Sequence, residues 1–366
     1  TVDDRLREAC IMKGRQFHID PYGGMSICPM MRAPELRFSL LNHTFDDIWR
    51  RRIPSCRIPE PRPQEYAAHC GSCAIAQGCY WCPAYGYLEN GRLSAPVEYL
   101  CEISKERRRR QSEWKKNHYR RFELAGMTLH VDSDLPITPD TFGRRFESFA
   151  TERPGTDHLY ISHRFGLPDM SFLKEGRLVY DAIPWVIYRY HDKWIYLVVG
   201  PWEDHSRPVS VSMFNDDHTQ VIVHHATDEL FKRGQLGTLT SFTSDQIMLS
   251  RVLADRHGCY FHSSALILNG RGILFTGPSG AGKSTLVKLL RDYGEILTDD
   301  RNIVRRWPDG YRVHGTWSHG EIADVSNNSA PLDAIVILEK AGSNHLFPVK
   351  NSQLAMHHLL NRLIKP

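Results

Sequence analysis

Residues 277–285, Gly-Pro-Ser-Gly-Ala-Gly-Lys-Ser-Thr, constrain this chain more than any other stretch. They fit the phosphate-loop pattern Gly-x-x-x-x-Gly-Lys-[Ser/Thr] through Gly277, Gly282, Lys283 and Ser284. Glycines let successive backbone N–H groups turn inward around phosphate oxygens, and the following helix N-terminus adds partial positive charge. Lys283 can then reach the β- and γ-phosphates, while the Ser284 hydroxyl can ligate Mg²⁺. The pattern predicts a binding site for a nucleoside triphosphate.

The residues on both sides of the loop have the order that a phosphate loop requires. An apolar strand over residues 272–276 leads into it, and a helix-like stretch over residues 284–291 follows and ends near Gly294. This context favours a phosphate loop over a glycine-rich turn that matches by chance. The predicted nucleotide-binding residues are Gly277, Gly280, Gly282, Lys283, Ser284 and Thr285.

Composition argues against two classes of protein. The 46 Lys and Arg residues nearly balance 42 Asp and Glu residues, whereas a dedicated nucleic-acid binder would show a strongly basic domain. The sequence shows no signal-peptide pattern and no apolar run approaching 18 residues, so we expect a cytoplasmic protein without a membrane span.

Because the sequence begins with Thr1 rather than Met, we expect a fragment or a processed chain.

The sequence predicts a mixed α/β chain of four segments. Residues 1–104 read as a Cys-rich domain, residues 105–121 as a basic linker or solvated helix, residues 122–250 as a β-rich region, and residues 251–366 as the phosphate-loop domain. The basic segment is typical of a solvated surface, and binding of a leader peptide or nucleic acid is the alternative. The main local predictions are a helical piece at 45–50, a hairpin of 185–190 with 194–199, strands at 209–213 and 220–223, a helix at 244–257, and a strand at 264–268 that turns at Asn269-Gly270.

Two adjacent carboxylates follow the predicted loop helix. Asp299 and Asp300 come directly after the apolar-containing segment 295–298. A carboxylate at this point can hold Mg²⁺ or accept the proton of an attacking hydroxyl. Neighbouring side chains on a strand point to opposite faces, so only one of the two should face the phosphates. A plain turn at the strand end is the alternative.

These residues together resemble the HPr kinase/phosphorylase superfamily. The matching pieces are His262 before the hairpin, the loop at 277–285, and Thr-Asp-Asp-Arg at 298–301. The resemblance implies a phosphate loop beside a β-hairpin and ATP-dependent phosphorylation of a Ser hydroxyl. It also implies Asp299 or Asp300 as the general base, with His262 near the nucleotide.

Two further positions refine this resemblance. Bifunctional members of the superfamily carry an acidic residue where this chain has Thr285, which favours a one-way kinase. Residues 315–321 resemble a segment of small kinase-like relatives. There His319 or Glu321 would face the nucleotide or substrate, and a plain surface loop is the alternative.

Cysteines are concentrated in the N-terminal part of the chain. Eight of the nine lie within residues 10–101. A Cys-x-x-Cys hook such as Cys70–Cys73 supplies two thiolates to zinc or to an iron–sulfur cluster. The short spacer between Cys73 and Cys79 fits a compact [4Fe–4S] run better than a zinc ribbon. Metal binding also fits a reducing cytoplasm better than disulfides do.

The order of these cysteines resembles the SPASM domain, which is appended to many radical SAM enzymes that modify ribosomally made peptides. The resemblance implies one or two auxiliary [4Fe–4S] clusters; a structural zinc site or unrelated cysteines are the alternatives. The implied ligands are Cys70, Cys73, Cys79 and Cys101 for one cluster, and Cys10, Cys28 and Cys82 for a second, whose fourth ligand is Cys56 or a residue upstream of Thr1. No Cys-x-x-x-Cys-x-x-Cys motif is present, so the chain should not cleave S-adenosylmethionine itself.

The combination resembles kinase-like proteins encoded beside radical SAM/SPASM enzymes, such as those of the SynChlorMet cassette. It implies an ATP- and Mg²⁺-dependent kinase that phosphorylates a Ser or Thr hydroxyl of a precursor peptide or small protein. A radical SAM enzyme would be a partner, and neither nucleic acid nor membrane is expected as one. The alternatives are a non-catalytic nucleotide-binding adaptor that presents a precursor peptide, and an ATP-independent metal-binding scaffold.

Overall fold

A computed structural model describes residues 16–30, 34–55, 62–200 and 207–365. The chain separates into two compact units, Thr1–Lys115 and Lys116–Pro366. Both helices and strands are well represented, which confirms the predicted mixed α/β class. Among the described residues, no helix is both long and apolar enough to cross a membrane.

The first unit contains a small antiparallel sheet and several short helices. Its strands are β1 (His18–Ile19), β2 (Gly24–Ser26) and β3 (Arg37–Ser39), in the order β1-β2-β3. The predicted helical piece at 45–50 is confirmed. The helices are α1 (Phe45–Asp47), a π-helical turn (Ile48–Arg52), α2 (Ile53–Ser55), α3 (Pro63–Tyr66), a second π-helical turn (Ala67–Gly71), α4 (Pro83–Asn90) and α5 (Glu98–His118), with 3₁₀ turns at Pro34–Leu36 and Ala76–Gly78.

The basic run lies on the long helix α5, and its charges have local partners. Glu106 accepts hydrogen bonds of 2.8 Å from two arginines of its own helix. Arg108 donates to the Ala74 carbonyl at 2.7 Å, and Arg107 donates to the Gly78 carbonyl at 3.3 Å. These contacts tie the basic helix to a loop of its own unit, so much of the charge is already used within the fold.

The second unit begins with an eight-stranded sheet of order β4-β5-β6-β11-β10-β9-β8-β7. Strand β6 pairs in parallel with β5 and β11, and the remaining pairs are antiparallel. The predicted hairpin and the two strands after it are confirmed. The elements are β4 (Tyr119–Leu124), β5 (Met127–Ser133), β6 (Asp157–Phe165), α6 (Phe172–Glu175), β7 (Arg177–Ala182), β8 (Trp185–Tyr190), β9 (Lys193–Val198), β10 (Ser210–Phe214), β11 (Gln220–His225) and α7 (Glu229–Arg233), with a 3₁₀ helix at Arg144–Phe149.

A second sheet carries the phosphate loop. The first half of its longest strand, β12, pairs with β15, and the second half pairs with β13 and β14. Strand β13 also pairs in parallel with β17, which connects through β16 back to β15. The pairings therefore close into a ring. The elements are α8 (Ser244–Ala254), β12 (Gly258–Leu268), β13 (Arg271–Thr276), α9 (Lys283–Leu289), β14 (Glu295–Thr298), β15 (Arg301–Trp307), β16 (Gly310–His314), β17 (Ser329–Ile337) and α10 (Ser352–Leu360).

One hydrophobic core connects the two sheets of the second unit. Helix α8 contributes Met248 and Leu249, both fully buried, to the cluster that contains Leu129 of β5 and Tyr260 of β12. The helix was predicted over 244–257 and ends at Ala254. The predicted domain boundary between residues 250 and 251 therefore falls inside α8, whose side chains pack in the core between the two sheets.

Candidate functional site

The phosphate loop leaves β13 in a backbone path that glycine permits. A Cβ atom at Gly277 would lie 2.7 Å from the Leu338 carbonyl oxygen, so a side chain there would force the loop away from the end of β17. Gly282 has φ +101°, in the left-handed region that side chains avoid. The Leu338 N–H donates to the Thr276 carbonyl at 2.7 Å and fixes the start of the loop against the neighbouring strand.

Lys283 is a buried cation held by neutral groups. Its side chain is only 7 % exposed, and its Nζ donates to the Gly277 carbonyl at 3.1 Å and to the Pro278 carbonyl at 3.2 Å. Within the described part of the chain it forms no ion pair. Burial lowers the pKa of Lys283, the positive charge of Arg362 lowers it further, and Asp300 opposes both effects. The lysine therefore brings a positive charge to the loop without a direct carboxylate contact among the described residues.

The remaining predicted loop residues surround the start of helix α9. Gly280 has a φ of +73°, Ser284 is half-buried, and Thr285 is exposed. The Leu286 N–H donates to the Gly282 carbonyl at 2.9 Å, and the helix runs over Lys283–Leu289, whereas it was predicted over 284–291. The structure thus brings all six predicted loop positions together as one strand–loop–helix turn.

Asp299 is occupied by backbone donors. Its carboxylate, 2 % exposed as a residue, accepts hydrogen bonds from the backbone N–H groups of Gly320 at 2.7 Å, Glu321 at 3.0 Å and Ile322 at 3.1 Å. A carboxylate that accepts three hydrogen bonds from consecutive backbone N–H groups holds a loop in place. This geometry gives Asp299 the role of a positioning residue rather than that of a base.

Asp300 contacts a different set of groups from Asp299 and acts electrostatically on the phosphate-loop lysine. Its Oδ1 lies 3.3 Å from His262 Nδ1, and its Oδ2 accepts hydrogen bonds from Arg301 and from the Ser318 hydroxyl. Burial alone would raise the pKa of Asp300, but the contacts with His262, Arg301 and Ser318 outweigh it and hold the pKa below its usual value. The carboxylate is therefore ionised near neutral pH and acts electrostatically on Lys283.

The loop after β16 is built over this acidic pair. Thr316 Oγ1 donates to the Arg301 carbonyl at 2.6 Å, and Thr298 Oγ1 donates to the Ser318 carbonyl. Of the two loop residues predicted near the nucleotide, His319 is half-buried and Glu321 is exposed. The loop therefore reaches the surface beside Asp300 while its backbone is fixed from below.

Arg362 is one of the residues of this site that sequence reasoning missed. The Arg362 carbonyl accepts the His262 N–H at 2.8 Å, so the C-terminal segment runs beside β12. Arg362 also lines a cleft of about 150 Å³ with Thr276 and Pro278 at the start of the loop. Among the described residues it has no ion-pair partner. No local motif marks Arg362, because only the folding of the last residues against β12 brings it to the loop.

The predicted metal centre is not found. Across residues 16–30, 34–55, 62–200 and 207–365, no group of three or more His, Cys, Asp or Glu side chains is arranged to hold a metal ion. The prediction of iron–sulfur clusters is therefore wrong for the described cysteines, and the zinc alternative fails on the same finding. That finding also gives no support to the predicted Mg²⁺. Cys10 and Cys56 lie outside the described residues.

The cysteines are instead divided between two hydrophobic clusters. Cys28 is buried in a cluster with Ile27, Leu36 and Ala84, against which Cys82 packs. Cys70 and Cys79 pack against a different cluster, formed by Tyr66, Trp81, Val97 and Leu100. Burial raises the pKa of the Cys101 thiol, and nearby Cys79 and Cys73 raise it further. The packing therefore groups Cys28 with Cys82 and Cys70 with Cys79, as the predicted ligand sets did, but among the described residues neither group is arranged to hold a metal ion.

Part of the second unit is similar to a known protein family. Residues 237–361 match the family model of the SynChlorMet cassette protein ScmC. The matched segment begins before α8 and extends through the phosphate loop, the acidic pair and α10. It confirms for this segment the resemblance to that cassette, and it covers about a third of the chain. No curated protein matches the sequence.

The two aspartates should respond differently to the same substitution. Asp299→Asn turns an amide towards three backbone donors, so we expect a loss of about 2–3 kcal/mol in the free energy of unfolding. Asp300→Asn keeps an acceptor for Ser318 and should cost less than about 1 kcal/mol. Urea denaturation of both variants measures the difference. Equal stability losses would contradict the division of roles.

Proposed function

We propose that this chain binds ATP at residues 277–285 and transfers its γ-phosphoryl group to a Ser or Thr hydroxyl. The observation that carries the proposal is the arrangement of Lys283, Arg362 and Asp300 around the loop. Lys283 and Arg362 have no ion-pair partners among the described residues. Burial lowers the pKa of Lys283, and the positive charge of Arg362 lowers it further, which shows that the two cations interact. Like charges repel, so this arrangement is stabilised by an anion such as a polyphosphate.

Asp300 is the proposed general base. An ionised carboxylate near the phosphates orients an acceptor hydroxyl and takes its proton as the new bond forms. His262 and Arg301 hold the two oxygens of this carboxylate in place. Asp299 supports the arrangement indirectly, because it fixes the loop that carries Ser318.

The comparisons narrow the biological setting of the proposal. The family matched by residues 237–361 is named for the SynChlorMet cassette, which supports a role in the maturation of a peptide or small protein. The positions of His262, the loop and the acidic pair support a kinase similar to HPr kinase. Thr285, in place of an acidic residue, supports transfer in one direction.

A nucleotide-binding adaptor is the second candidate. One observation favours it: both oxygens of Asp300 already have partners within the chain. An adaptor would bind ATP and present a peptide to a partner enzyme without transferring phosphate. Measurement of ATP binding and phosphoryl transfer on the same preparation separates the two candidates.

Removal of the loop lysine should abolish tight ATP binding. A charge-assisted contact with phosphate is worth about 1.5–3 kcal/mol, so Lys283→Ala should raise the Kd for ATP about 10- to 100-fold. Isothermal titration calorimetry in magnesium-containing buffer measures the change. Lys288→Ala is the matched control, because Lys288 is exposed on the same helix. An unchanged Kd in folded Lys283→Ala would refute nucleotide binding at this loop.

Substitution of Arg362 tests whether this cation, which no sequence motif marks, contributes to ATP binding. Arg362→Ala should raise the Kd for ATP about 5- to 50-fold, because a second phosphate-facing charge is lost. Arg362→Lys should recover part of the affinity, and Lys365→Ala, an exposed neighbour, should leave it unchanged. If Arg362→Ala binds ATP as tightly as the unaltered chain, Arg362 has no place in the site.

A further inference from the structure

One hydroxyl of the chain already occupies the position where an acceptor would meet the proposed base. Ser318 Oγ donates to Asp300 Oδ2 at 3.0 Å and accepts from Arg301 Nη1 at 2.7 Å. Among the described Ser, Thr and Tyr side chains, it is the only hydroxyl that donates to this carboxylate. An acceptor must place its O–H within hydrogen-bond reach of the base, and Ser318 meets that condition.

The backbone of Ser318 is fixed by the same motif that supplies the base. Thr298 Oγ1 donates to the Ser318 carbonyl, and the Ser318 N–H donates to Thr316 Oγ1 at 3.2 Å. Asp299 holds the next residues of the loop through Gly320 and its two successors. Rigid placement of a reacting group lowers the entropic cost of reaction. Ser318 is therefore positioned by the acidic motif itself.

The electronic arrangement at Ser318 Oγ also suits a nucleophile. Its proton points to a carboxylate that is ionised near neutral pH, and one of its lone pairs accepts from Arg301. A second lone pair remains for bond formation. Ser318 is only 8 % exposed. Because both oxygens of Asp300 already have partners, a hydroxyl from another molecule would have to displace Ser318 from Oδ2 or His262 from Oδ1. The internal hydroxyl needs no such displacement.

We propose that Ser318 is a self-phosphorylation site that accepts the γ-phosphoryl group of ATP bound at the phosphate loop. The inference rests on the proposed function. In this step a bond forms between Ser318 Oγ and the γ-phosphorus, and the bond from that phosphorus to the bridging oxygen of the β-phosphate breaks. ADP leaves, and the Ser318 proton passes to Asp300 Oδ2 and then to solvent.

The product would change the electrostatics of the site. A phosphate at Ser318 adds about −1.5 to −2 charge beside Asp300 and Arg301. Arg301 can pair with the new dianion, while Asp300 is repelled by it. Self-phosphorylation should therefore move the loop away from Asp300 and open the base to an external acceptor.

The test incubates the full chain with ATP in magnesium-containing buffer and measures intact mass, followed by mapping of phosphopeptides. We expect the mass increment of one phosphoryl group, located on Ser318. Ser318→Ala should lose the increment, and Ser318→Thr should carry it as phosphothreonine. Asp300→Asn should reduce the rate of incorporation at least about 100-fold. Calorimetric ATP binding is measured on the same samples, and thermal melting confirms that each variant is folded.

Ser326→Ala is the matched control. The Ser326 hydroxyl also donates to a carboxylate, that of Glu295, at 2.5 Å in the segment that follows β16, but it makes no contact with Asp300. It should incorporate phosphate like the unaltered chain. ATP binding without phosphate on Ser318, or equal incorporation in Ser318→Ala, overturns this inference and leaves the proposed function standing. Absence of ATP binding overturns both.

Discussion

The candidate site depends on the carboxylate of Asp299 and the three backbone N–H groups that it satisfies. These bonds fix the backbone of residues 320–322, of which Ile322 is buried while Gly320 and Glu321 are exposed. While Asp299 binds these backbone groups, its neighbour Asp300 contacts His262, Arg301 and Ser318 and acts electrostatically on Lys283. The acidic pair thus separates into one carboxylate that holds structure and one that faces the phosphate loop.

The charged side chains around this loop are placed in a way that is unfavourable without a bound anion, because two cations lie near each other. Lys283 is buried against neutral carbonyls, and the charge of Arg362 destabilises its protonated form. Across the site, Asp300 is surrounded by His262, Arg301 and Ser318. Unpaired cations beside an ionised carboxylate match the needs of phosphoryl transfer, in which anionic oxygens are neutralised and a proton is removed.

Much of this arrangement could be predicted from local sequence. Residues 277–285 specify their own turn through glycines and the Lys-Ser pair, and the β-branched and aromatic runs at 185–190 and 194–199 predict a hairpin. Alternation along a strand also predicted that Asp299 and Asp300 would diverge, but could not say which faces the loop. That choice depends on the distant donors of residues 320–322. Arg362 and Ser318 were missed because their roles arise only from tertiary contacts. The cysteine prediction failed because spacing along the chain does not report whether the thiols converge on one point, and among the described residues they do not.

The most direct measurement of the central claim is the rate at which the chain forms ADP from saturating ATP, compared between the unaltered chain and Asp300→Asn. General base catalysis contributes about 10²- to 10⁴-fold, so Asp300→Asn should bind ATP with unchanged affinity and form ADP more slowly by that factor. Equal rates of ADP formation in the two folded proteins would contradict phosphoryl transfer at Asp300.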